Sequence, residues 1–126
     1  MFMAGRTALH LLKDVKTLCA EMYGCGDKRP GKVTVKSVAS ALGIDPHKIN
    51  RMRLCMEEIQ RYHETQEHYW AREIIWAVER IRENDETVTF TRISRKINIR
   101  REKLLGSMQE LKTQDEAVYR MVYDVL

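Results

Sequence analysis

A chain of 126 residues, 44% hydrophobic and 32% charged, suits one compact domain or two very small ones. It holds no run of eighteen apolar residues that would make an ordinary transmembrane helix, and it is too apolar for disorder throughout. Its charge of +4 is uneven: residues 1–63 carry eleven basic and six acidic side chains, whereas residues 64–126 carry eleven and twelve.

In chain order, the start MFMAGRTALHLLKDVK lacks a basic region followed by a continuous apolar stretch, so no secretory leader is expected. Leu9, Leu11, Leu12, Val15, Leu18, Cys19 and Met22 recur at helical spacing and predict a helix over residues 7–23. A Gly-, Pro- and charge-rich loop follows over residues 24–32. Thr34 is placed to cap a short helix over residues 35–42, and Gly43 supplies a turn position that tolerates a left-handed backbone. Asp45 caps the next helix with Pro46 at its first position, and no breaker interrupts that helix before about Tyr62. Ile49, Met52 and Met56 or Ile59 form its buried stripe.

The second half repeats this order. Tyr69, Trp70, Ile74, Ala77, Val78 and Ile81 predict a helix over residues 66–84, and residues 84–87 are the shorter counterpart of the first loop. At an offset of 55 residues, Val33 matches Val88, Thr34 matches Thr89, Val35 matches Phe90 and Val38 matches Ile93. Leu42 then matches Ile97, Ile44 matches Ile99 and Ile49 matches Leu104. Apolar positions agree while surface positions differ, as two copies of one small core require. Asn98 stands where Gly43 does, and Arg100 replaces the capping Asp45. Leu104, Leu105, Met108 and Leu111 are expected to line the last buried face. The organisation expected is all-α, with tandem trihelical units at 1–63 and 64–113 and a hydrophobic tail at 114–126. Two cores of that size are expected to pack on one another through their long first helices, with Tyr62, Tyr69, Trp70 and Trp76 as candidates for the seam. Val118, Met121, Val122, Val125 and Leu126 make the tail either a closing helix or a dimer surface.

At this point VKSVASALGIDPHKINRM resembles the helix-turn-helix signature of bacterial and phage DNA-binding proteins. Ala39 takes the small position where the helices cross, Gly43 the turn, and Ile49 and Met52 the anchors. FTRISRKINIRREKLLGSM resembles it less closely, with Ser94 in place of Ala39. The resemblance implies that the second helix of each motif enters the major groove of double-stranded DNA. The exposed candidates there are His47, Lys48, Asn50, Arg51 and Arg53, with base readout assigned to Asn50 and Arg51, since arginine pairs with guanine and asparagine with adenine, and a solvated helix surface as the alternative for the rest. Lys36 and Ser37 are placed to meet phosphate. In the second copy Thr91, Arg92 and Arg95 take the groove side of the short helix, and Arg100, Arg101 and Lys103 open the next one.

Two windows concentrate the positive charge over these motifs, with seven basic and two acidic residues in 26–53 and six and one in 92–103. Cys19, Cys25 and Cys55 are odd in number and lack metal-ligand spacing, so cytoplasmic thiols are expected. The histidines of HETQEH are five apart and diverge on a helix, which reads as a polar linker or helix start. No nucleophile–base set is visible, so neither catalysis nor a cofactor is expected. A homodimer through the tail or the long helices fits the pattern. The other readings left open are a protein-interaction module, favoured by the near-neutral second half, and a structured-RNA binder.

Overall fold

The computed structural model describes residues 8–24 and 28–126, and the chain is all-α, with no strand among those residues. None of its helices is long and apolar enough to cross a membrane. The chain divides into two compact units, residues 1–63 and 64–126, each with its own buried cluster; among the described residues the first has four helices where three were expected, and the second has three helices followed by one in the 114–126 segment.

In the first unit α1 (Ala8–Tyr23) buries Leu11, Val15 and Cys19, which recur every four residues on one face. Gly31 returns the following loop to α1 by donating its N–H to the Met22 carbonyl at 2.8 Å. The expected Thr7 helix start and Cys25 lie outside the described residues. Helix α2 (Val35–Leu42) has the bounds read from the sequence. Thr34 and Ser37 form a reciprocal capping box, and Gly43, at φ 70°, closes the helix in the left-handed region. Ile44 then donates its N–H to the Ala39 carbonyl at 3.0 Å, which completes the turn. Helix α3 (Pro46–Asn50) starts as expected, with Asp45 accepting from the His47 N–H.

It does not continue to Tyr62. The ladder breaks at Met52, which is extended at φ −106° and ψ 96°, and α4 (Arg53–Gln60) begins beyond it. The break separates two packing tasks that one straight rod would have to share. Fully buried Ile49 belongs to α3, which packs on α2, while Cys55, Glu58 and Ile59 belong to α4, which packs on α1. Tyr62 follows α4 and stacks, tilted, on Tyr23 with ring centres 5.3 Å apart.

In the second unit α5 (Gln66–Glu83) buries Ala71, Ile74, Ala77, Val78 and Ile81. Helix α6 (Phe90–Ile97) has Thr89 as its cap and Asn98 in the left-handed region at φ 56°. The Ser94 hydroxyl donates to the Ile99 carbonyl at 2.8 Å, so the residue at the helix crossing also fastens the turn. Helix α7 (Arg101–Gln114) is continuous and buries Leu104, Ser107 and Leu111. Leu105 is a correction: it is 51% exposed, because the buried stripe passes through Ser107 instead. Ser107 satisfies its buried hydroxyl by donating to the Lys103 carbonyl one turn back, at 2.8 Å.

Helix α8 (Glu116–Asp124) packs on α7, with Val118 and Val122 in the second core, so it is a closing helix. Trp70 and Trp76 are half-buried against the same core, and the Tyr69 ring lies 5.7 Å from that of Trp70.

Candidate nucleic-acid interface

The two copies of the motif are superposable in their local chemistry. Thr34 and Thr89 hold nearly the same extended backbone, at φ −138° and −136°, and each accepts from the N–H three residues on. Both short helices then end in a left-handed residue. The helix that follows leaves each turn with its first residues exposed.

In the first unit Lys36, His47, Lys48, Asn50, Arg51 and Arg53 are all exposed. Arg51 sits at the end of α3 and Arg53 at the start of α4, so the break at Met52 sets the two guanidinium groups on either side of an elbow. Arg53 lies 3.8 Å from the Glu57 carboxylate, both well exposed. His47 is engaged with its own helix cap, its Nδ1 being 3.0 Å from Asp45 Oδ1. The backbone N–H and ring of His47 hold the Asp45 carboxyl below the usual carboxylate range, so this cap stays ionised at neutral pH. Beside the elbow, Leu9, Leu12, Met52, Leu54 and Cys55 line a groove of about 460 Å³ with Arg51 and Arg53. Leu9 and Leu54 are 74% and 53% exposed.

Ser37 is not presented for phosphate. Its hydroxyl donates its one proton to the Lys32 carbonyl at 2.9 Å and accepts from the Thr34 N–H in the capping box, so its only donor is already engaged.

In the second unit Thr91, Arg95, Arg100, Arg101 and Lys103 are exposed, as is Lys96, which the sequence reading did not single out. The Arg101 guanidinium lies over the Phe90 ring at 5.6 Å, which fixes the first turn of α7 against the start of α6. Arg92 is exposed but tied to its own loop: it donates to the Thr87 carbonyl at 2.7 Å and stands 4.0 Å from Glu86. One of its N–H groups thus staples the loop before α6. Arg100 caps α7 without a side-chain hydrogen bond, and Glu102 is the one acid in that first turn. Cations at a helix N-terminus oppose the helix dipole unless an anion joins them. Among the described residues, Lys48, Arg95, Arg100 and Lys103 make no ion pair with an acid, whereas the Arg51 charge acts on the Asp45 carboxylate.

A second polar cluster lies at the start of α5. Glu64 is buried and accepts from Arg72 Nε at 2.9 Å, from Arg72 Nη2, and from His68 Nδ1 at 2.6 Å. Burial alone would raise its carboxyl, but the hydrogen bonds and charge of Arg72 and His68 outweigh that and hold it below the usual range. HETQEH, read from the sequence as a polar linker or helix start, holds the start of α5, and Arg72, eight residues on from Glu64, is the buried partner that its spacing did not indicate. Among the described residues no group of three metal-ligating side chains converges.

Comparison with protein-family models, curated proteins and solved structures finds no match to this chain.

Proposed function

We propose that the chain binds double-stranded DNA through two helix-turn-helix elements, as a transcriptional regulator or as an accessory factor in recombination or replication. The observation that carries this reading is a repetition. Two segments 55 residues apart build the same capped helix and left-handed turn, and each leads into a helix with exposed cationic side chains at its start, among which Lys48 in the first unit and Arg100 and Lys103 in the second make no ion pair with an acid. Phosphate would supply the missing anions, and Asn50 and Arg51 are suited to base edges. A cytoplasmic setting follows from this reading. A homodimer through the tail has less support, because Val118 and Val122 are used within the second unit.

The test is fluorescence anisotropy of random-sequence duplex DNA titrated with the full chain at several salt concentrations. Micromolar binding that falls steeply with salt is expected, and absence of binding at low salt overturns the reading. Arg51→Ala is expected to relax sequence preference. Arg95→Ala is expected to weaken all duplexes alike and to lower the salt slope by about 1, as loss of one phosphate contact does.

A protein-interaction role is the second reading, and one feature favours it. The groove beside the first unit's elbow exposes Leu9 and Leu54 between two arginines, which fits an apolar segment bearing carboxylates.

A further inference from the structure

Two neighbouring residues of α7 have no internal reason to be what they are. Leu105 is half-exposed, in a helix whose core face is complete with Leu104, Ser107 and Leu111. Gly106 is exposed within the helix, and a Cβ added there meets nothing within 4 Å. Glycine inside a helix is destabilising relative to alanine, and at this position alanine would fit. No turn, positive φ or crowded neighbour within the chain calls for glycine here.

The surroundings are cationic. Arg101 lies one turn before Leu105 on the same face, Arg100 and Lys103 open the helix, and Arg95 stands on α6. An apolar spot flanked by unneutralised cations suits a partner with an apolar spot flanked by anions. The major groove has that character at thymine, whose 5-methyl is the one apolar group on a base edge, with phosphates to either side. A glycine beside the leucine lets the helix backbone approach closely.

We propose that Leu105 and Gly106 form the close-contact centre of the second unit's DNA face and that Leu105 reads thymine through its 5-methyl group. This rests on the DNA-binding reading above. It also makes the units unlike in what they read, because the position of Leu105 is occupied in the first unit by Asn50, a polar residue suited to adenine.

The experiment starts from a duplex enriched by the full chain from a random pool. Its affinity is compared with that of the same duplex carrying deoxyuridine for thymidine, which removes only the 5-methyl. The wild type is expected to lose about fourfold per contacted methyl, the equivalent of one buried methylene. Leu105→Ala is expected to bind the thymine duplex more weakly, to discriminate less between the two duplexes, and to keep the wild-type tryptophan emission and unfolding temperature. Gly106→Ala is expected to raise the unfolding temperature while weakening binding severalfold, a combination that a purely structural glycine does not produce. Equal binding of both duplexes by the wild type, or unchanged discrimination by Leu105→Ala, overturns the assignment of Leu105 and leaves DNA binding standing. Undiminished binding by Gly106→Ala overturns the close approach. If no duplex is enriched at all, the DNA-binding reading falls and takes this assignment with it.

Discussion

After Gly43 the first unit makes five residues of helix, breaks at Met52 and restarts, whereas after Asn98 the second unit makes fourteen without interruption. Local propensity points the other way. The residues aligned with Arg51 and Met52 are Gly106 and Ser107, a pair far better suited to ending a helix. What decides is the surface each stretch must cover. In the second unit one straight helix reaches along α5 with Leu104, Ser107 and Leu111, and Ser107 can be buried because its hydroxyl returns to its own helix. In the first, the short α3 stays against α2 and a separate α4 covers α1. Tertiary packing therefore overrides propensity in both units, in opposite directions.

The comparison can be broken or sharpened by substitution, taken here from the largest expected effect to the smallest. The second unit depends on a buried ion pair at its first residue. Glu64→Ala leaves the nearly buried Arg72 guanidinium without its carboxylate and is expected to cost about 3–5 kcal/mol. Both tryptophans lie in residues 64–126, so urea unfolding followed by tryptophan emission reads this unit alone. A change below 1 kcal/mol would show that the pair is dispensable. The same pair gives the unit an acid limit. Its folded-state carboxyl lies below the ordinary 4.5, so its contribution is complete above that value and is lost as pH falls through the depressed one. Tryptophan emission of Glu64→Ala is expected to lack this acid-dependent step.

Next comes the helix break itself. Position 53 aligns with position 108, the first being the opening residue of α4 and the second the interior of α7. Met108→Pro is expected to cost about 3 kcal/mol or more, by removing a helical hydrogen bond and crowding the preceding turn. Arg53→Pro is expected to stay within about 1 kcal/mol, because proline suits a first helical position and Met52 before it is already extended. Equal losses, read by far-ultraviolet circular dichroism, would mean that α3 and α4 act as one helix in solution.

The smallest effect concerns the turns. Gly43→Ala puts a Cβ at φ 70° and is expected to cost about 1–2 kcal/mol, whereas Asn98→Gly is expected to be close to neutral. Hydrogen exchange of the α2 and α6 amides separates the two units in this measurement, and an unaffected Gly43→Ala protein would remove the left-handed turn from the argument.

What was legible in the sequence is what local chemistry decides. Thr34, Gly43, Asp45, Pro46, Thr89 and Asn98 each perform the capping or turning role that their side chains permit, and the bounds of α2 follow from them. The break at Met52, the exposure of Leu105 and the burial of Glu64 were not legible, because each is settled by a partner distant in sequence or by a neighbouring helix. The same limit applied to the candidate interface. Its cations were found by charge and register, but Ser37 and Arg92 turned out to serve their own backbone.

The buried thiols of the first unit carry one more consequence. Burial, followed by the nearby Glu58 and Cys55, pushes the Cys19 thiol up to about 11, and burial raises that of Cys55 as well. At neutral pH almost none of either is thiolate, and Cys19 is completely buried while Cys55 lies at the edge of the groove. An alkylating reagent can therefore mark Cys19 only in a molecule whose α1–α4 packing has come apart. Each mark is permanent, so the labelled fraction accumulates as a history of openings in the half of the chain that tryptophan emission cannot see.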